Sequence, residues 1–235
     1  MPGVPLATFK DLCIDATDAA RLAEFWGTLL GRTVEHQEGG DAVLRGATPT
    51  ETIWVNTVPE PKTVKHRVHL DVGARSLDPV VALGATVVLP AEESGHHWTL
   101  CQDPEGGEFC VFIREDAPAE PVARLEEMVI DTADAASSEA LAGWWAEVLG
   151  GRLTDDGRGF WWVEDVPGLP FESIDVVPVP EPKTVKNRIH WDVTSDDLTA
   201  LLARGATVLA EPTPTTPWTV CADPQGNEFC VFTPA

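Results

Sequence analysis

Residues 58–72 read VPEPKTVKHRVHLDV, and residues 179–193 read VPEPKTVKNRIHWDV. Twelve of these fifteen positions are identical. A second match follows in the same order, where DPEGGEFCVF from Asp103 corresponds to DPQGNEFCVF from Asp223. Both pairs are about 120 residues apart, which is much longer than the roughly 20–50 residues of a solenoid repeat. The sequence therefore predicts two copies of one domain.

The limits of the two copies follow from where the matches begin and end. We predict a first domain over residues 7–114 and a second over residues 123–235. Residues 115–122, between them, are rich in proline and in acidic side chains, which is typical of a linker.

The first half of copy one alternates between strand and helix patterns. Residues 9–15 alternate apolar and polar side chains, which predicts a half-buried strand. Asp18 then provides an N-cap for a helix whose apolar stripe ends at Gly31. Three further strands are predicted over residues 33–36, 42–45 and 52–57. This order is β-α-β-β-β.

The second half of copy one repeats that order, and copy two repeats the whole. In copy one we predict a strand over residues 67–72, a helix over 76–83, and strands over 86–89, 97–101 and 108–113. In copy two we predict a strand over residues 125–131, a helix over 134–149, a strand over 188–193 and a helix over 197–204. A tight turn at Asp103–Gly106, and again at 223–226, predicts a hairpin that ends each copy.

Paired β-α-β-β-β modules of this α+β class resemble the vicinal oxygen chelate superfamily, which includes glyoxalases, bleomycin-resistance proteins and dioxygenases. The residues that carry the resemblance are Asp11–Asp18 before a helix ending Leu29-Leu30-Gly31, residues 68–72 before Leu83-Gly84-Ala85, and Asp103–Gly106 before a strand. The segments Pro59–Lys62 and Pro180–Lys183 are similar to a small glyoxalase-like subgroup. The resemblance implies tandem domains, each with helices on one sheet face and a ligand cleft on the other.

The composition of the chain makes some classes of binding partner unfavourable. The chain has 38 Asp and Glu against 16 Lys and Arg, a net charge of −22, so nucleic acid and anionic membranes are unfavourable partners. No apolar run reaches the roughly 20 residues of a membrane span. The first residues lack the pattern of a signal peptide, and the five cysteines are an odd number, so we expect a cytoplasmic protein with free thiols. A monomer and a homodimer both remain possible.

Strand parity predicts which side chains face the cleft, because neighbours in a strand point to opposite faces. In copy one these are Asp11, Cys13, Arg67, His69, Asp71, Glu108, Cys110 and Phe112. In copy two they are Glu127, Val129, Arg188, His190, Asp192, Glu228, Cys230 and Phe232.

The resemblance implies a divalent ion held by His, Gln or Glu on the strands that open each module and by Glu on those that close it. The candidate metal ligands at or near these positions are Asp11, His69, Glu108, Glu127, His190 and Glu228. Cys110 and Cys230 replace Glu at the closing position, and Trp54 and Asn56 leave the middle closing strand of copy one without an acid. Because the set is incomplete, we expect either no cofactor or a divalent metal, for which Cys, His and a carboxylate could hold Zn²⁺ or Fe²⁺.

Two other groups of residues are candidates for chemistry or binding. The catalytic candidates are the pairs His69–Asp71 and His190–Asp192, in which the carboxylate orients the imidazole; a structural hydrogen bond explains such a pair equally well. The ligand-binding candidates are Arg67, Trp98, Cys110, Phe112, Arg188, Trp218, Cys230 and Phe232. Four lysines lie in the crossover loops, which join the two modules of each copy: Lys62, Lys65, Lys183 and Lys186. They either solvate these loops or form a cationic rim for an anionic ligand.

The sequence leaves three functions open. The first is a protein that binds a small organic molecule in the cleft without the full metal site. The alternative is a divalent-metal-dependent lyase, isomerase or dioxygenase acting on a small chelating substrate. The third is a metal-independent acid/base enzyme. Because both copies keep His, Asp, Glu and Cys at matching positions, we predict two equivalent sites per chain.

Overall fold

The computed structural model describes residues 4–234, and copy one contains two β-α-β-β-β modules as predicted. Its first module consists of β1 (Thr8–Ala16), α1 (Ala19–Leu30), β2 (Thr33–His36), β3 (Ala42–Arg45) and β4 (Ile53–Thr57). Its second consists of β5 (Val68–Ala74), α2 (Asp78–Ala82), β6 (Thr86–Leu89), the short α3 (Ala91–Ser94), β7 (Trp98–Gln102) and β8 (Glu108–Ile113).

Copy two has the same order. Its first module consists of β9 (Ala123–Thr132), α4 (Ala135–Leu149), β10 (Arg152–Asp155), β11 (Trp161–Glu164) and β12 (Ser173–Pro178). Its second consists of β13 (Ile189–Thr194), α5 (Leu198–Ala203), β14 (Thr207–Ala210), β15 (Thr219–Ala222) and β16 (Glu228–Phe232). The α+β class and the tandem modules agree with the sequence prediction, whereas the limits of the two domains stay a prediction.

The two modules of one copy lie in different sheets. The first sheet has the order β14-β15-β16-β13-β1-β4-β3-β2, and the second has the order β10-β11-β12-β9-β5-β8-β7-β6. Antiparallel pairing of β1 with β13, and of β5 with β9, joins the copies at the centre of each sheet. Strand alternation alone does not encode this exchange, because β5 and β13 share the same alternation, with His, Asp and Val at three of six matching positions, and offer β1 similar partners. Each sheet, and each face that carries candidate site residues, is therefore built by both copies.

The long helices begin and end at the predicted residues. Asp18 accepts a hydrogen bond from the backbone N–H of Arg21 and caps α1, and Asp134 accepts one from Ser137 and caps α4. Gly31 ends α1 in the left-handed conformation that glycine tolerates best. Helix α2 is shorter than predicted, and Pro79 occupies its first turn, where a missing N–H costs no helical hydrogen bond.

The core lies between the sheets and the helices that cover them. One side of each central strand belongs to it, with Leu12, Ile14, Leu70 and Val111 all buried in a single apolar cluster. The alternate side chains of the same strands, including Cys13, lie outside that cluster, as strand parity predicts. Among residues 4–234, no helix is both long and apolar enough to cross a membrane.

Candidate functional site

In the first sheet, a cluster of three polar side chains lies on the face opposite the core. Cys13 on β1 stands directly across from His190 on β13, and Asp192 follows two residues later on the same face. One ligating atom of each residue lies within 4.8 Å of the others, and all three side chains are buried. The cluster takes one residue from copy one and two from copy two, which is a direct result of the module exchange.

The second sheet holds the corresponding cluster. His69 and Asp71 on β5 and Cys110 on β8 have ligating atoms within 4.8 Å of one another. His69 Nε2 lies 3.4 Å from Asp71 Oδ1, and the backbone N–H of Cys110 donates to the same oxygen at 3.3 Å. Val129 stands across from His69, where the first sheet has Cys13, so the two clusters are similar but not identical.

Burial keeps both imidazoles neutral. It lowers the pKa of His69 to about 3, with a further contribution from the nearby Lys65 ammonium. It also lowers the pKa of His190 to about 4. Each ring can therefore donate one hydrogen bond and accept another at neutral pH.

Burial shifts the acids of the clusters in the opposite direction. It raises the pKa of Asp192 to about 8, and the neighbouring Asp11 carboxylate adds to the shift. It raises the pKa of Asp71 well above the usual range, followed by the effect of Glu127. The pKa of the Cys13 thiol is raised in the same way, first by burial and then by the Asp192 carboxylate. At neutral pH the two imidazoles are therefore uncharged, and burial favours the neutral form of both carboxyls.

An aromatic pair lies beside each cluster on the same face. The rings of Trp98 and Phe112 have centroids 5.6 Å apart, and those of Trp218 and Phe232 are stacked at 5.1 Å. Phe112 and Phe232 follow the cysteines Cys110 and Cys230 by two residues, and all four aromatic side chains are half-buried. Each pair thus lies on the cluster face, two residues along the strand from a cysteine that stands beside the aspartate of the cluster.

Two of the predicted metal ligands have other partners. Glu108 accepts hydrogen bonds from Lys62 Nζ at 2.8 Å and from the backbone N–H of His66 at 3.0 Å. Glu228 accepts the equivalent bonds from Lys183 Nζ at 2.9 Å and from the backbone N–H of Asn187 at 3.1 Å. Both carboxylates hold the crossover loops, and their role as metal ligands stays a prediction.

The two predicted ligands on the opening strands lie close to the clusters. Asp11 Oδ2 accepts bonds from Lys10 Nζ at 2.7 Å and from Trp54 Nε1 at 3.2 Å. Glu127 stands opposite Asp71, and its pKa is raised to about 8, first by burial and then by Asp175. Asp11 is thus buried and already paired, and the role of Asp11 and Glu127 as metal ligands stays a prediction.

Arg67 and Arg188 link the two copies. Arg67 donates to the backbone carbonyls of Glu181 and, at 2.8 Å, Asp131. Arg188 donates to the carbonyl of Glu60 at 2.7 Å. Each arginine thus holds the crossover segment of the other copy, a contact that parity within one copy could not reveal.

Sequence reasoning missed several residues around these sites. Cys13 was placed on the cleft face but not among the site residues, although its position opposite a histidine follows once the pairing of β1 with β13 is known. Asp15 pairs with Lys186 across the copies, and Asp131 pairs with Lys65 in the same way. All five cysteines lie in the described part of the chain and are buried and free.

Comparison with known proteins identifies the family. A family model described as a glyoxalase-like domain matches residues 11–112 and 127–232. The fold is similar to glyoxalase I from Zea mays, which is 13% identical with a TM-score of 0.67, covering 96% of this chain and 92% of that one. It is also similar to a proposed dioxygenase from Bacillus subtilis subsp. subtilis str. 168, which is 12% identical with a TM-score of 0.65, covering 98% and 86%.

No curated protein matches the sequence. At such low identity the structural similarity speaks to the fold alone. The family model, in contrast, covers most of the chain in two segments that follow the sequence repeat. The chain therefore belongs to the glyoxalase-like domain family of the vicinal oxygen chelate superfamily, and it contains that domain in two tandem copies.

Proposed function

We propose that this protein binds a small, uncharged organic molecule at each of the two clusters. The observation that carries the proposal is a recurrence in both sheets: a His and an Asp two residues apart on one strand, with a Cys close to both and a half-buried Trp–Phe pair on the same face. Ligand pockets combine apolar and aromatic walls with a few polar groups that fix orientation. The clusters supply those groups, and the aromatic pairs supply the wall.

The protonation of the clusters indicates the class of ligand. A neutral imidazole and a protonated carboxyl can exchange hydrogen bonds with a hydroxyl or a carbonyl group. The cations beside the clusters are already paired, Lys10 with Asp11 at 2.7 Å and Lys65 with Asp131. A charged ligand group would therefore be buried without a free opposite charge, which is costly. A phenol or a hydroxyketone, with its ring against Trp98 or Trp218, fits both conditions.

A divalent-metal-dependent enzyme is the second candidate, and the first sheet favours it. Within residues 4–234, three buried atoms there have no hydrogen-bond partner: Asp11 Oδ1, Asp192 Oδ1 and His190 Nδ1. Cys13, His190 and Asp192 would hold the ion, since sulfur, nitrogen and oxygen ligands suit Zn²⁺. When bound, such an ion would polarise an oxygen of a chelating substrate.

Tryptophan fluorescence can test both candidates with one panel of probes: phenol, catechol and 2-hydroxyacetophenone. We expect at least one probe to quench emission saturably in EDTA-treated protein, and Zn²⁺ to leave its affinity unchanged. Trp98→Leu combined with Trp218→Leu should remove the quenching, because these rings form the walls. Phe160→Leu, at an exposed position away from the clusters, is the control and should change nothing.

The other outcomes are equally informative. Saturable binding that requires Zn²⁺ would replace the metal-free binding protein with the metalloenzyme. If no probe binds under either condition, an uncharged hydroxy compound is the wrong class of ligand.

A further inference from the structure

A separate cavity lies between the crossover segments of the two copies. Its volume is about 520 Å³, which is within the range of small-molecule pockets. It is lined by residues 60–67, by residues 181–188 apart from Lys183, and by Asp15. These two segments share seven of eight positions, so almost the same sequence forms both sides. Each His–Asp–Cys cluster lies outside this cavity, on its own sheet.

The floor of the cavity contains buried polar groups that lack partners. His66, Arg67 and Asn187 are 8%, 7% and 4% exposed. Considering the described chain as a whole, both ring nitrogens of His66, Nε of Arg67 and Oδ1 of Asn187 have no hydrogen-bond partner. Because buried polar groups are normally paired, three such side chains on one cavity floor indicate a ligand from outside the chain. Burial lowers the pKa of His66 to about 4, so its neutral ring offers one N–H donor and one acceptor nitrogen. With Arg67 Nε and Asn187 Oδ1, the unpartnered groups are two donors and two acceptors.

The charge of the lining indicates the kind of ligand. The cavity collects five of the sixteen basic residues of a chain whose net charge is −22, and only three acids line it. The basic residues are Lys62, Lys65, Arg67, Lys186 and Arg188, and the acids are Asp15, Glu60 and Glu181. All five basic residues also have carboxylate partners, Arg67 with Asp131 at 3.9 Å and Arg188 with Glu105 at 3.4 Å among them. Arg67 Nε and the N–H of His66 are the donors left to bind an acidic group.

The rim of the cavity is partly apolar. Val64 and Val185 are 38% and 46% exposed and stand at matching positions of the two segments. Pro61 and Pro182 extend this apolar surface on either side. A ligand that fits has an acidic end for the floor and an apolar body for the rim.

We infer that this cavity binds one small organic anion per chain, with its acidic group against His66 and Arg67 and its apolar body between Val64 and Val185. One cavity lies between two copies, whereas each sheet has its own cluster. The stoichiometry therefore differs from that of the proposed cluster sites, and so does the charge of the ligand.

The probe for this site is 8-anilino-1-naphthalenesulfonate, an aromatic sulfonate, compared with the neutral N-phenyl-1-naphthylamine, which has the same apolar body. We expect calorimetry of the full chain to give about one bound sulfonate per chain. Dye emission should show that the neutral compound binds about tenfold more weakly or worse. Equal affinities would overturn the anion preference, and no saturable sulfonate binding would overturn the site.

Variants locate the bound sulfonate. Thr63→Trp combined with Thr184→Trp fills the rim and should weaken binding about tenfold or more, whereas Thr215→Trp, at an exposed threonine elsewhere, should leave it unchanged. His69→Leu combined with His190→Leu should also leave it unchanged. Loss of binding in that histidine pair, with the rim variant unaffected, would place the dye at the clusters and overturn the inference.

A single substitution on the floor tests the polar groups. His66→Leu removes two unpartnered buried nitrogens, so the free chain should melt at a higher temperature while sulfonate binding becomes weaker. A general defect in folding would instead lower the melting temperature. Unchanged sulfonate affinity in this variant would overturn the role of His66.

Discussion

Asp192→Asn is expected to remove part of the loss of stability that this chain undergoes as the pH rises from 6.5 to 8, a loss to which the raised pKa values of Asp71 and Glu127 also contribute. Burial, followed by the effect of Asp11, raises the pKa of Asp192 to about 8 in the folded chain, against about 3.9 for an exposed Asp. The folded state therefore binds this proton more tightly than the unfolded state. This tighter binding of the proton stabilises the folded chain fully below pH about 4, and the stabilisation is lost as the pH rises towards 8.

The slope of this loss is at most about 1.4 kcal/mol for each pH unit. The interval above pH 6.5 is chosen because His190, whose pKa burial lowers to about 4, has the opposite dependence and loses stability only as the pH falls below about 6.5. Asparagine resembles the protonated carboxyl and does not titrate. Urea denaturation of both proteins at several pH values gives the two slopes directly.

Asp196→Asn is the matched control, since Asp196 is exposed four residues along the chain. It should keep the slope of the unmodified protein. If Asp192→Asn also kept that slope, Asp192 would be ionised in the folded chain and the cluster would not be uncharged.

Trp145→Ala should cost about 3–5 kcal/mol of folding free energy, as expected for a large aromatic side chain lost from a core. Trp145 on α4 is fully buried, and its ring centroid lies 4.6 Å from Trp144, 4.9 Å from Trp191 and 5.2 Å from Phe229. Its Nε1 donates to Asp223 in the last hairpin at 3.2 Å. One side chain thus joins the first module of copy two to its second module.

Trp218→Ala is the control for size, because Trp218 is only half-buried and packs on Phe232 alone among the aromatic rings described. It should cost less than half as much in a urea or thermal unfolding experiment. Equal losses in the two variants would mean that Trp145 does not connect the modules.

Local structure was predictable because its causes are local. The alternation around Leu12 and Ile14, the capping by Asp18 and the end of α1 at Gly31 each depend on a few neighbouring residues. The side chains on the cluster face, including Cys13, also follow from parity.

Contacts between the copies were not predictable in this way. Which module pairs with β1 depends on the free energy of the whole sheet, and the shared alternation of β5 and β13 does not distinguish them as partners. The hydrogen bonds of Arg67 and Arg188 to the crossover segment of the other copy depend on that same choice, and so does the cavity floor at His66. Glu126 is a further example: a buried carboxylate held by Arg114 and Arg124, at a bulge in β9 that interrupts the alternation.

Binding stoichiometry is the most direct test of two matching cluster sites. Calorimetry with the tightest-binding phenol or hydroxyketone of the panel should give about two molecules per chain. His69→Leu and His190→Leu should each reduce this to about one, and the two together should abolish binding, because each histidine belongs to one cluster. A stoichiometry of one in the unmodified chain, or undiminished binding in the double variant, would contradict the proposal that the clusters are the binding sites.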